Sequence, residues 1–355
     1  MGAHLADRLY FDHAATTPVL GVVREAVADA LTRWANPSSP HSEGRAARAA
    51  LEDARARLKA ALDWQHDLIF TSGATEALAI ALGRTQSDAV LVSAVEHDAV
   101  HRPVPEAYRL PVSADGRVAP DALFGRLSAL GAKRSLVAVQ QANNETGVIQ
   151  PLDALGEVIR DKGGILIADC AQTAGKIDLP DADLIAVSAH KIGGPPGIGA
   201  LLIRDPALIS PSGGQEKGYR AGTENLPGAI GFAVAAEAGR GWMARAADLR
   251  QHMDAAIEAA GGQIIAKAAD RIPTIAGYRM PGKASSAQLI QFDMAGIAVS
   301  AGSACSSGTL KTSRVLTAMG LDEAAANEVV RVSFGPDTSR ADVYRFLETW
   351  QRIRG

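Results

Sequence analysis

The chain has 355 residues, 47% hydrophobic and 21% charged, with 36 basic against 39 acidic side chains and a net charge of −3. These values exclude a disordered chain and lack the basic balance of a nucleic-acid binder. The longest uncharged stretch, Met294 to Leu310, is 17 residues rich in Ser and Gly, too short to span a bilayer, so no membrane partner is expected.

The first residues, with Asp7 and Arg8, have no apolar core of the signal-peptide kind. Two cysteines, Cys170 and Cys305, are too few for a secreted disulfide framework. The expectation is a cytoplasmic protein with reduced thiols.

In chain order, a helical stretch rich in Ala, Arg and Glu covers His41 to Leu62. Short apolar runs follow at Leu68–Thr71, Ala89–Ser93, Ser135–Gln140, Ile165–Asp169, Leu184–Ser188 and Ala200–Ile203. Runs of this length, apolar without alternation, read as strands buried on both faces. A helix over Leu152–Lys162 places Leu152, Leu155 and Ile159 on one face. Strands alternating with helices predict a mostly parallel α/β layer fold. After Leu226-Pro227-Gly228 a long Ala-rich helical stretch runs to about Ala260. Strand candidates Gln263–Ala266, Thr274–Tyr278 and Val329–Phe334 follow, with helices over Ser285–Ala295 and Thr338–Ile353. Thr338 is the expected N-cap of the last. The pattern predicts a large α/β domain followed by a smaller α+β domain.

Asp169 closes the run Ile165 to Ala168, and Lys191 follows Leu184 to Val187 after Ser188-Ala189-His190. In a parallel sheet both lie at the carboxyl ends of strands, where ligands bind. That pair suits pyridoxal phosphate, which needs a lysine for its aldehyde and an acid beside its ring nitrogen. It also suits a strand-end salt bridge. Thr71-Ser72-Gly73-Ala74-Thr75-Glu76 joins a strand to a helical stretch, where exposed N–H groups form an anion site. An ordinary helix start reads the same way. No Gly-Lys-Ser/Thr follows, so it is not a P-loop.

His97 and His101 have the i, i+4 spacing of a zinc pair, but without the Glu of the metalloprotease pattern and with no cysteine nearby. His97 alone suits stacking on a cofactor ring and proton movement near neutral pH. Cys305 lies in the small, polar, Gly-flanked stretch Ser300 to Gly308, which reads as a mobile loop able to carry a nucleophilic thiol. Cys170, in a strand-end run, reads as a packed small side chain. Arg331, inside the apolar run Val329 to Ser333, needs an acidic partner, either a substrate carboxylate or a protein one.

Taken in order, these segments resemble the cysteine desulfurases, pyridoxal phosphate enzymes of the class V aminotransferase group. The resemblance covers nearly the whole chain. It runs from Tyr10-Phe11-Asp12-His13-Ala14-Ala15-Thr16-Thr17-Pro18 through Asn36-Pro37-Ser38-Ser39, Thr71 to Glu76, and Glu96-His97. It continues through Asn143-Asn144-Glu145-Thr146-Gly147, Asp169 to Gln172, Ser188 to Lys191 and Gly193 to Gly199. Arg220-Ala221-Gly222-Thr223, Gly302-Ser303-Ala304-Cys305 and Arg331-Val332-Ser333 complete it.

The resemblance implies a fold type I transferase, with a sheet of the seven-stranded type in a large domain over residues 14–235. Residues 1–13 would join 236–355 in the small domain. It implies a homodimer with the site at the interface. Lys191 would form the Schiff base, Asp169 would pair with the ring nitrogen, Gln172 would bond the ring hydroxyl, and His97 would stack on the ring. Ala74, Thr75, Ser188 and His190 would hold the phosphate, with Thr223 reaching in from the other subunit. Asn144 and Arg331 would hold the substrate carboxylate. Cys305 would take sulfur from L-cysteine as a persulfide, releasing L-alanine, and pass it to an acceptor protein for iron–sulfur assembly or thiolation. Two departures bear on that acceptor: the segment 77–95 is shorter than in typical members, and the chain stops at Gly355, soon after its last helix. A selenocysteine lyase or another class V enzyme would use the same lysine and acid, and an inactive scaffold is the reading from outside enzymology. Cys305 favours desulfuration.

Overall fold

The computed structural model describes residues 8–33, 35–132, 134–302 and 312–355. The first half holds β1 (Leu9–Tyr10), α1 (Gly21–Thr32), α2 (Ser42–Ala61), β2 (Asp67–Thr71), α3 (Ala74–Arg84) and β3 (Ala89–Ser93). It continues with α4 (Asp98–His101), β4 (Tyr108–Leu110), α5 (Pro120–Leu130), β5 (Ser135–Gln140), α6 (Leu152–Asp161), β6 (Ile165–Asp169), β7 (Leu184–Ser188) and β8 (Gly199–Ile203). The rest holds α7 (Leu226–Glu237), α8 (Met243–Ala259), β9 (Gln263–Ile264), β10 (Ile275–Arg279), α9 (Ser285–Met294) and β11 (Ile297–Ala298). The chain closes with α10 (Arg314–Ala318), α11 (Glu323–Ala326), β12 (Val329–Ser333) and α12 (Arg340–Arg354).

Seven strands form one sheet in the order β2-β8-β7-β6-β5-β3-β4. All neighbours are parallel except β8, which runs against both β2 and β7. Except in the edge strand β4, alternate residues of each strand feed two separate cores, which is why the runs are apolar without alternation. Leu166 and Ala168 of β6 face Leu51 of α2, Leu155 of α6 and Phe232 of α7. Ile165 and Ile167 face the other way, toward Leu78 of α3 and Val100 of α4.

A third core gathers Met253 of α8, Tyr278 of β10, Phe292 of α9, Val332 of β12 and Trp350 of α12 around Phe11. The parallel pairing of β1 with β11 brings the start of the described chain there. In this core the Phe292 and Phe346 rings stack at 4.9 Å.

Several boundaries differ from the expectations. The Ala-rich stretch after Gly228 is two helices, because Gly239 turns the chain at φ +73 between α7 and α8. Only Gln263 and Ile264 of the expected strand pair with β10, and Ala266 enters a turn at φ +52. Ser339, not Thr338, caps α12: its side chain and that of Asp342 form a reciprocal capping box. The Thr338 hydroxyl instead accepts the Gly335 N–H at 2.9 Å and closes the preceding turn.

Candidate active site

The carboxyl ends of β5, β6 and β7 open on a cavity of about 620 Å³. Asp169, the last residue of β6, is half-buried there, and its Oδ1 accepts the Ala171 N–H at 2.9 Å. Burial pushes its carboxyl up, while that N–H, His97 and Lys191 pull the other way. Lys191 ends the single 3₁₀ turn Ala189–Lys191 that follows β7. Its Nζ donates to the carbonyls of Ala14 and Ala15. The turn 12–17 is tied down in return. Thr17 N–H donates to the His190 carbonyl at 2.8 Å, and its hydroxyl donates to the Lys191 carbonyl.

His97 precedes α4, and its Nδ1 accepts the Ala99 N–H at 3.1 Å. Burial lowers its affinity for a second proton, with Asp169 opposing. The result is a neutral ring with its proton on Nε2. Gln172 donates from Nε2 to the Ala14 carbonyl at 2.9 Å, while its buried Oε1 has no hydrogen-bond partner.

Ala74 and Thr75 open α3, whose first N–H groups have no intrahelical acceptor. The turn before them packs directly on the sheet. A Cβ on Gly199 would lie 2.6 Å from the Cα of Gly73 and from the Val187 carbonyl oxygen, so β8 must start with glycine. Ser188 and His190 line the same end of the cavity. His190 Nδ1 lies 3.1 Å from the Thr16 hydroxyl, and burial with Lys191 nearby pushes the ring down to about 4. It is neutral at any ordinary pH.

Arg331 projects from β12 at the far end. Its Nη2 donates to Asp12 Oδ1 at 2.7 Å and its Nη1 to the Asn144 carbonyl at 3.1 Å. The partner that a buried arginine requires is therefore a carboxylate of the chain itself, and Asn144 lines the cavity beside it.

The cavity thus gathers Asp169, Lys191, His97, Gln172, Ala74, Thr75, Ser188, His190, Asn144 and Arg331. Thr223 is exposed and is not among its lining residues. Cys305 lies outside the described residues, but Gly302 before it and Arg314 after it both border the cavity. Cys170 is fully buried, and burial pushes its thiol far up, which makes it inert.

Further acids line the cavity without having been assigned from sequence, among them Asp12, Glu96 and Glu145. Glu96 accepts the Gln140 N–H at 2.8 Å and Glu145 accepts the Ser313 hydroxyl at 2.6 Å. Burial raises both carboxyls. Each sits inside one of the motif segments, which was the available signal. Their partners lie up to 319 residues away and could not be read locally.

The aminotransferase class-V family pattern matches residues 9–346. The chain belongs to that family. It is 35% identical to Cysteine desulfurase IscS 1 of Archaeoglobus fulgidus, over 96% of this chain and 95% of that protein. It is also 35% identical to a cysteine desulfurase of Cereibacter sphaeroides, over 96% and 94%. A NifS-like protein from Rickettsia africae superposes with a TM-score of 0.90 at 28% identity, covering 98% of this chain and 99% of the other. The structure described as SspA in complex with cysteine superposes at 0.80 with 26% identity, covering 93% and 100%.

Proposed function

We propose that the chain is a pyridoxal 5′-phosphate-dependent cysteine desulfurase. The observation that carries this reading is the convergence of Lys191 and half-buried Asp169, from adjacent strand ends, on a cavity that also holds Arg331 and the start of α3.

The residues present fit the cofactor. Gln172 Oε1 is a buried polar atom without a partner, and the start of α3 offers N–H groups to a phosphate. Ala74, Thr75, Ser188 and His190 would hold that phosphate, Gln172 the ring hydroxyl, and His97 the ring face. Thr223 would complete the phosphate site from a second subunit. When bound, the cofactor supplies an aldehyde for amines and a protonated ring that draws electrons from the substrate α-carbon.

The side chains divide the rest of the work. Asp169 lies half-buried beside Lys191 and His97, where its carboxylate would hold a proton on the cofactor's ring nitrogen. Arg331 and Asn144 hold the substrate carboxylate. Lys191 takes the α-proton and returns it. Neutral His97 hands protons at Nε2. The Cys305 thiolate attacks the substrate sulfur, the Cβ–S bond breaks, and the carbon takes up a proton to give L-alanine. The persulfide on Cys305 passes to an acceptor protein serving iron–sulfur assembly or thiolation. We place the protein in the cytoplasm as a homodimer, with a large domain over 14–235 and a small one from 1–13 and 236–355. Among the described residues, no helix is long and apolar enough to cross a membrane.

Incubating the protein with L-cysteine, pyridoxal phosphate and a thiol reductant tests the reading. The wild type should release alanine and sulfide, and Cys305→Ala should release neither. Equal alanine from both would remove Cys305 from the reaction. Arg331→Ala should raise the KM for L-cysteine by roughly 10- to 150-fold, the worth of a charge-assisted hydrogen bond of about 1.5–3 kcal/mol. An unchanged KM would take Arg331 out of the substrate site.

A further inference from the structure

We propose that Asp12 is a positioning residue that turns the Arg331 guanidinium toward an α-carboxylate and so sets the preference for amino acids over plain amines. The proposal rests on the substrate reading given above.

The backbone of Arg331 is fixed first. Its N–H donates to the Ser300 carbonyl at 2.7 Å and its carbonyl accepts the Ser300 N–H at 3.2 Å. Asp12 is fixed separately. It bridges Ser333, two residues further along β12, and its carbonyl accepts the N–H groups of Ala15 and Thr16. Its side chain then meets Arg331 Nη2, while the Asn144 carbonyl takes Nη1.

Both tips of the guanidinium are thus pinned, and the edge carrying Nε is left over. Arg331 Nε is buried and has no hydrogen-bond partner. A buried donor left unmade is costly, so this edge favours an anion. A carboxylate laid side-on would take the Nε proton and the second Nη2 proton together, the fork geometry in which arginine is strongest. Glu145 also faces Arg331, but the Ser313 hydroxyl occupies its carboxyl at 2.6 Å. Asp12 is the acid that orients the group, and it lines the cavity.

Two effects oppose each other in this arrangement. The Asp12 charge repels an incoming carboxylate, whereas its hydrogen bond fixes the fork. Fixed orientation wins if the Nε edge is the docking edge, because a guanidinium released from Asp12 swings away and must be re-ordered on binding.

The test compares ligands with and without a carboxylate on the cofactor-loaded protein. In Asp12→Ala the KM for L-cysteine should rise about tenfold, equivalent to one 1.4 kcal/mol step, with kcat little changed. The dissociation constant of L-alanine, read from the cofactor absorbance, should rise as much, and that of ethylamine should stay put. Asp12→Asn keeps an acceptor at the same atom and should lie within about threefold of wild type for L-alanine. A joint shift for L-alanine and ethylamine would mean a structural defect and overturn the proposal. So would L-alanine binding that is unchanged or tighter. If Asp12→Ala does not fold, Asp12→Ser, whose short hydroxyl stops short of Arg331 Nη2, carries the comparison: a loss for L-alanine alone supports the proposal, and equal behaviour of the two ligands sinks it. A wild type that makes no alanine from cysteine would refute the desulfurase reading, while the absorbance comparison would still decide the role of Asp12.

Discussion

Lys191→Ala is expected to lower alanine formation from L-cysteine by about 10³-fold or more, in the upper part of the range for a positioned proton-transfer group. Among the described residues, no other lysine lines the cavity. The Lys191 amine projects from the turn after β7 into the cavity, held by the Ala14 and Ala15 carbonyls. The other lysine nearby, Lys176, is buried and is not among the cavity's lining residues. The covalent readout is independent of turnover. Borohydride reduction followed by mass analysis should fix cofactor on the wild-type peptide containing Lys191 and on no peptide of the variant. Cofactor fixed elsewhere in the variant would mean that the wrong lysine has been assigned.

Glu216→Ala is expected to reduce folding stability by about 3–5 kcal/mol, the usual result of removing one partner of a buried ion pair. Arg55 of α2 and Glu216 are both nearly inaccessible, and both carboxylate oxygens meet the guanidinium, at 2.7 and 3.0 Å. Glu216 also accepts the Phe70 N–H at 2.8 Å, and Arg55 donates to the Leu68 carbonyl. The variant therefore leaves the buried Arg55 with only the half-exposed Glu52, at 3.0 Å, and strands a strand N–H. With an unfolding entropy of about 2.1 cal/mol/K per residue, the midpoint should fall by about 4–7 °C. Replacing both partners by apolar residues of similar volume should recover much of the loss. A single-variant loss below about 1 kcal/mol would show that the pair is dispensable. Because β2 runs straight into the turn at Gly73, the single variant should also retain cofactor less well.

The sheet was legible because its strands are covered on both sides. A run such as Ile165 to Asp169 has no polar face to blur its ends, and it matches β6 in full. Where burial is incomplete, the signal fades. Tyr108–Leu110 is a three-residue strand at the sheet's edge, and β1 and β11 are two-residue pairings formed only by tertiary contact. The helix break at Gly239 was hidden by Ala-rich flanks that continue the pattern. In the site, Asp169 and Lys191 could be placed because each follows an apolar run directly. Asp12, Glu96 and Glu145 carried no local cue to their partners. The carboxylate that Arg331 demands was foreseen in kind, while its identity was fixed by a contact spanning nearly the whole chain.

The reversed strand β8 has a consequence for how the protein is made. As an edge strand, β2 pairs among the described residues only with β8, with Thr71 opposite Gly199. Closing a loop of roughly 130 residues has an entropic penalty of about 4 kcal/mol, met before the contact returns anything. During synthesis the strand that leads into the phosphate-binding turn must therefore wait, unpaired, until the chain beyond Ile203 has emerged. At some 5–20 residues per second, that wait lasts roughly 7–26 seconds. The cofactor can act as a folding ligand only after it, so a nascent chain cut before β8 should neither hold the cofactor nor protect β2 from proteolysis.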